Sequence, residues 1–183
     1  MARIEYVDTA DLPAEKRKVP ALNLIRAMSR SPGAERAVSG LVRYLRTESK
    51  LDRRLMELAI LQVGWLAKAP YEFAHHVEFG RKNGVTDADI RAIADETEGK
   101  PTHLDPLSRS VLRAAREMTL GGDLSDGTFA ELKASLDDER LVDLCLAIAQ
   151  YNGVVRLLAA LRIDVEEDCR HLLDEFPFPA TRA

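Results

Sequence analysis

A chain of 183 residues with 46% apolar side chains is long enough to bury one sizeable core, so one domain spanning 1–183 is expected. Its 26 basic and 30 acidic residues give a net charge of −4 and are mixed along the sequence, which leaves no basic stripe for nucleic acid. Two separated cysteines, Cys145 and Cys169, make neither a disulfide framework nor a zinc set. The start MARIEYVDTADLP has no apolar signal core, and no apolar run reaches the ~20 residues of a membrane span, so a soluble, cytoplasmic protein is expected.

Residues 1–19 read as an extended arm and a short turn, with the charged run Glu15-Lys16-Arg17-Lys18 as a solvated face. From Pro20, ALNLIRAM predicts a short amphipathic helix. Ser31-Pro32 then gives a cap followed by proline at the first helical position. In the next helix, Ala37, Val38, Leu41, Val42 and Leu45 recur at three- and four-residue spacing, which turns one face inward and Arg36, Arg43 and Arg46 outward.

The chain is organised around Leu51–Ile93. LMELAILQVGWL, residues 55–66, is apolar on every side apart from Glu57 and Gln62, so it predicts a buried helix carrying a buried carboxyl. Surface pairing of Glu57 with Arg53 or Arg54 is the competing reading. After the break at Lys68-Ala69-Pro70, a helix from about Tyr71 to Asn83 brings Glu72, His75, His76 and Glu78 close to the turn. Clustered titratable groups beside a buried acid point to proton-transfer chemistry. Adjacent histidines diverge by ~100° on a helix, so one of His75 and His76 faces the site and the other is structural.

Further on, Gly84 suits a left-handed cap, Thr86 and Asp89 a capping box before a helix through Ile93, and Asp105-Pro106 another cap before a helix ending at Gly121-Gly122. Ser125 caps a helix through Leu136. Asp137 or Asp138 opens the long apolar segment ending near Ile163, where Tyr151 and Asn152 are polar residues that line the cavity or bond across helices, and Trp65 is a candidate for its wall. Glu166 to Phe176 predicts an acidic helix stopped by Pro177 and Pro179, with Phe176 and Phe178 as docking anchors. No stretch alternates with period two, so the protein is expected to be all-α. Two helices apolar all round suggest a homo-oligomer.

The hairpin resembles the carboxymuconolactone decarboxylase and alkyl hydroperoxidase D superfamily, whose core reads roughly R-E-L, an apolar helix, C-x-x-C-x-x-x-H, a helix, then G-[LV]-[ST]-x-x-[DE]-[IL]. Glu57 falls on the family glutamate and His76 on its histidine. The two redox cysteines fall on Ala69 and Glu72, and the residue between them used by the peroxidase branch on Tyr71. Gly84–Ile90 matches the closing segment, and residues 141–161 match the later helix more weakly. The likeness covers about half the chain, with a core at about 38–120. It implies an AhpD-like helical bundle, assembly as a dimer, trimer or hexamer, and a proton relay through Glu57 and His76.

With both redox thiols absent, a thiol peroxidase is disfavoured. The expected activity is cofactor-free acid–base chemistry, decarboxylation or lactone proton transfer, on a small organic acid. Glu57, His76 and Tyr71 are the catalytic candidates, and Glu72, His75, Trp65, Tyr151 and Asn152 the substrate-binding ones. Tyr71 is read either as a donor to a substrate oxygen or as a plug of the hairpin end. A carboxylate clamp is missing from the hairpin, and Arg81 or Arg156 is the nearest candidate. The alternatives are a non-catalytic oligomeric scaffold or a peroxidase-like protein that has lost its dithiol. Glu72-Phe73-Ala74-His75 has the Glu-x-x-His spacing of di-iron bundles, but its only counterpart, Asp168 and His171, lies in the tail, so no metal is expected. Ideal hairpin geometry leaves Glu57 and His76 some 9 Å out of axial register, at ~1.5 Å per residue, and bridging it calls for a kink at Gly64, side-chain reach or water. One shared polar cluster is nonetheless expected, because an isolated buried carboxylate is costly.

Overall fold

The computed structural model describes residues 2–14, 22–176 and 178–179, and among these the chain is helical with no strand. The elements are α1 (Asn23–Met28), α2 (Pro32–Thr47), α3 (Arg53–Leu66), α4 (Pro70–Lys82), α5 (Asp87–Thr97), α6 (Pro106–Leu120), α7 (Asp126–Lys133), α8 (Asp138–Leu161) and α9 (Leu172–Glu175). The Glu15-Lys16-Arg17-Lys18 run and Pro177 lie outside the described residues.

α3 is the axis of the bundle and packs against α4, α5, α6 and α8. Asp52 caps it by accepting the Leu55 N–H, and every residue from Leu55 to Gly64 is buried. The turn into α4 closes with Lys68 in the left-handed region at φ 52° and Ala69 N–H donating to Gly64 O, and Pro70 opens α4. Gly64 lies inside the continuous helix α3. It is the place where the two hairpin helices touch, since a Cβ there would sit 3.3 Å from Phe73 N. The position of the turn, at Lys68, narrows the axial gap. From Lys68, Glu57 lies 11 residues back and His76 8 forward, a stagger of ~4.5 Å that two long side chains span.

Elsewhere local chemistry decides the ends. Asp105, Ser125 and Asp137 each cap a helix by accepting a backbone N–H three residues on, and Thr86 with Asp89 forms both halves of a capping box. Gly84 is left-handed at φ 88°. Ser31 makes no side-chain cap, so Pro32 alone starts α2. The α5 helix runs on to Thr97, and α7 stops at Lys133.

The expected acidic helix from Glu166 is broken into a 3-10 turn, Glu167–Cys169, and the single turn α9. Its backbone starts extended because the Glu166 side chain is drawn inward. Phe176 is buried and Phe178 lies against Phe73, their ring centres 4.9 Å apart, so the tail docks on its own chain. Among the described residues α8 alone has the length and hydropathy of a membrane span, which corrects the expectation that no stretch reaches it. Ten of its side chains, Asp143 included, are buried, as in a core helix. Asp143 accepts hydrogen bonds from Tyr44 at 2.8 Å and Ser49 at 2.6 Å. The outer face of α8 leaves Val142 and Leu157 exposed, whereas α3 is buried throughout from Leu55 to Gly64.

Candidate active site

α4 presents its acidic and imidazole groups to a half-open cavity of about 380 Å³ walled by α1, α2, α4 and α8. At its floor His76 lies between two carboxylates: Nδ1 is 2.6 Å from Glu57 Oε2 and Nε2 is 2.9 Å from Glu72 Oε1. Carboxylates only accept, so both ring nitrogens must donate and the imidazole is held as imidazolium. Burial alone would lower its pKa. The charges of Glu57 and Glu72, and the hydrogen bonds to both, outweigh that and push it up to about 9.

Glu57 is 2% exposed and does not reach the cavity. Arg53 pairs with it at 3.1 Å and the Asn83 amide lies at 3.4 Å, so the pairing that would have placed Glu57 on the surface instead compensates a buried charge. Glu72 and His76 do line the cavity. The polar chain therefore runs from the cavity wall through Glu72 and His76 to a sealed Glu57.

His75 belongs to a second cluster. Its Nδ1 donates to Tyr71 O at 2.7 Å, and its Nε2 lies 3.0 Å from Glu166 Oε2 in a close ionic contact, out of line for a good hydrogen bond. Burial acts to lower the His75 pKa, but Glu166 and the Tyr71 carbonyl more than reverse this; Glu166 is in turn held below the usual carboxylate range, against the effect of its own burial, by His75 and by the Asn23 N–H. The Tyr71 hydroxyl donates to Glu166 Oε1 and accepts the Leu24 N–H, both at 3.2 Å. It is thus already engaged and pins α1 to the C-terminal strap. Glu72 turns to His76 and His75 to Glu166, so the Glu-x-x-His pair does not converge. Among the described residues no group of three or more His, Cys, Asp or Glu side chains is placed to hold a metal ion.

Tyr151 stands edge-on to His76, ring centres 5.0 Å apart, and lines the cavity. Among the described residues its hydroxyl has no hydrogen-bond partner, and burial with the nearby Glu72 and Glu57 charges raises its pKa, so it stays a donor. Trp65, expected in the wall, is elsewhere, and Asn152 takes the second of its two expected roles. Trp65, near the end of α3, packs against the Leu58, Leu61 and Phe73 cluster, and Asn152 bonds across to Thr119 on α6 at 3.0 Å. Arg81 is held by Asp87 and Glu175, and Arg156 by Asn152, so neither is the clamp.

Arg46 is exposed, as its outward reading on α2 expects, but it is not turned away from the site. It lines the cavity with its guanidinium carbon 4.5 Å from the centre of the Phe79 ring. Its place was signalled only by its position one turn after Val42. Glu35, buried and accepting from Ser39 at 2.6 Å, and Glu166 were also missed. Nothing near Glu166 in sequence marks it, because its partners come from the other end of the chain.

Residues 32–117 match the carboxymuconolactone decarboxylase family. That match, over just under half of the chain, supports a place in the carboxymuconolactone decarboxylase and AhpD superfamily. Its fold is similar to that of a cysteine-to-alanine variant of the debrominase Bmp8 in complex with 2,3,4-tribromopyrrole (18% identity, TM-score 0.82, 96% of this chain and 99% of that one). It is also similar to an alkylhydroperoxidase AhpD core protein, peroxidase-related, from Ralstonia eutropha JMP134 (15% identity, TM-score 0.78, 92% and 94%) and a peroxidase-related protein from Silicibacter sp. TM1040 (18%, 0.77, 92% and 94%). At these identities the likeness is one of fold. A comparison with curated protein sequences finds no match. Within the matched stretch Ala69 and Glu72 stand where the superfamily pattern has cysteines. The chain's own cysteines lie in separate apolar surroundings, Cys145 on α8 and Cys169 in the strap, and burial pushes the Cys169 thiol up to about 11.

Proposed function

We propose that this protein is a cofactor-free acid–base enzyme of the carboxymuconolactone decarboxylase type, acting on a small organic acid or lactone. The observation that carries the reading is the imidazolium held between two carboxylates, of which only Glu72 borders the cavity. Glu72 exchanges a proton with the substrate, His76 balances its charge and passes protons to Glu57, and the Tyr151 hydroxyl donates to a substrate oxygen that gains charge. In a decarboxylation the bond to the carboxyl carbon breaks, carbon dioxide leaves, the electron pair is delocalised onto that oxygen, and the proton relayed through Glu72 adds to carbon. Tyr71 and His75 act as positioning residues.

A thiol-dependent reaction has no pair of thiols at the site to run on. The rival reading, a scaffold without activity, draws on the sealed Glu57–Arg53 pair. It leaves unexplained why His76 and Glu72 border an open cavity. We also propose a homo-oligomer, favoured by the exposed apolar face of α8.

The test is carbon dioxide release or lactone loss across a panel of small β-keto acids and carboxylated lactones. Glu57→Gln, Glu72→Gln and His76→Gln should each lower kcat by roughly a hundred-fold or more, with the double variants little worse than the single ones. Full activity in any folded single variant would overturn the relay.

A further inference from the structure

The cavity has a polar axis. Along α2 the residues Glu35, Val38, Val42 and Arg46 recur every three or four positions and all line it, a stripe ~16 Å long at ~1.5 Å per residue. Arg46 ends that stripe beside the reacting groups: its guanidinium carbon is 4.5 Å from the Phe79 ring centre, which is 5.3 Å from the His76 ring centre. Stacking occupies the flat face of the guanidinium and leaves its N–H edge for hydrogen bonds. Among the described residues no hydrogen bond or ion pair to Arg46 is formed. Away from Arg46 the walls are Ile25 and Met28 of α1, Val42 of α2 and Val154 and Leu157 of α8. At the far end Glu35 is engaged with Ser39 and with a further partner.

We infer that the cavity binds an amphiphilic monocarboxylate, with its carboxylate on the N–H edge of Arg46 and its hydrocarbon chain along the α1, α2 and α8 walls. One guanidinium fork matches one carboxylate, with N···O distances of ~2.8 Å. A phosphate dianion would face Glu35 and Glu72 with, among the described residues lining the cavity, a single free cation to hold it. The Arg46 guanidinium carbon and the His76 ring are less than about 10 Å apart. Once the carboxylate is docked, a carbon roughly two to four bonds along the chain faces Glu72 and His76. The proposed acid–base function is thereby narrowed to acids that react close to an anchored carboxylate. Turnover after docking rests on that proposed function, whereas docking itself is separately measurable.

The experiment is isothermal titration of octanoate and of octanol, neither of which reacts, into wild type, Arg46→Gln and Val42→Trp, with circular dichroism to verify folding. Octanoate is expected to bind at least about ten-fold more tightly than octanol. Arg46→Gln should lose about ten-fold for octanoate and nothing for octanol, and Val42→Trp should weaken both by filling the cavity. Equal affinity of octanoate and octanol in wild type, or octanoate binding unchanged in folded Arg46→Gln, overturns the inference. Octanoate binding that depends on Arg46, in a protein turning over no acid, upholds this subsite and removes the catalytic reading. Acid turnover indifferent to Arg46→Gln removes the subsite and leaves the catalytic reading standing.

Discussion

Folding stability should fall as pH rises above neutrality, and most of that slope should disappear in His76→Gln. The His76 pKa is raised from 6.5 in the unfolded chain to about 9 in the fold, because Glu57 and Glu72 outweigh the cost of burial. The folded state therefore holds a proton that the unfolded state releases. Its contribution is complete below about pH 6.5 and is lost as pH rises through about 9. A shift of about 2.5 units at 1.36 kcal/mol each is about 3 kcal/mol, a large share of the ~5–15 kcal/mol that holds a domain together. Urea unfolding followed by far-UV circular dichroism, at one protein concentration and from pH 6 to 10, measures it in both proteins. His75 is also raised but is present in both, so the difference between the two curves isolates His76. That difference should shrink by about 3 kcal/mol between pH 6.5 and 9. Parallel curves would mean that His76 is neutral in the folded protein at neutral pH, and the arrangement of an imidazolium between two carboxylates would be refuted.

Gly64→Ala should destabilise by ~1–3 kcal/mol, because its Cβ would meet the Phe73 backbone at 3.3 Å, whereas Gly153→Ala, whose Cβ meets nothing, should stabilise by up to about 1 kcal/mol. Urea midpoints in the reverse order would contradict the close-approach reading of the hairpin. The double variant Cys145→Ser, Cys169→Ser should match wild type in every assay, and both should reduce peroxide negligibly with dithiol donors; robust turnover abolished by the double variant would restore a thiol mechanism. Light scattering at micromolar concentration should show an oligomer, and a monomer would remove the role given to the exposed α8 face.

What the sequence made legible was local. The caps at Asp105, Ser125 and Asp137 and the box at Thr86 and Asp89 are side-chain to backbone bonds within one turn, so residue type and spacing carry them. The burial of Glu57 was legible because apolar residues surround it on a helix apolar all round. Contacts between elements were not. Arg46 lies beside the apolar stripe of α2 and reads as outward on that helix alone; it meets the cavity because α4 brings Phe79 underneath it. Trp65 misled for the opposite reason, since a large ring near a site suggests a wall until the packing direction of α3 is known. Glu166 was invisible, because a carboxylate in an acidic stretch reads as solvated while its partners Asn23, Tyr71 and His75 lie far away in sequence.

The remaining question is what the exchange of thiols for Ala69 and Glu72 did to this scaffold, and putting the thiols back answers it. Ala69 is the N-cap of α4 and Glu72 lies in its first turn, both buried, with His76 one turn further on. A thiolate at residue 72 would take the place of the Glu72 carboxylate as the anion facing His76, and the α4 N-terminus would help lower its pKa. A carboxylate there can exchange protons but cannot be oxidised. The double substitution Ala69→Cys, Glu72→Cys is therefore expected to lose the acid–base activity and to gain peroxide reduction, the pair being oxidised to a disulfide that an added dithiol reduces again. Glu72→Cys alone should gain nothing, because no resolving thiol stands at residue 69. Peroxide reduction by a coupled dithiol assay, with mass spectrometry to detect the disulfide, separates these outcomes. If the folded double variant forms the disulfide and still reduces no peroxide, the two thiols are not all that separates this chain from the peroxidase pattern. The second cluster of Tyr71, His75 and Glu166, which lies beside the same turn, would then be the next place to substitute.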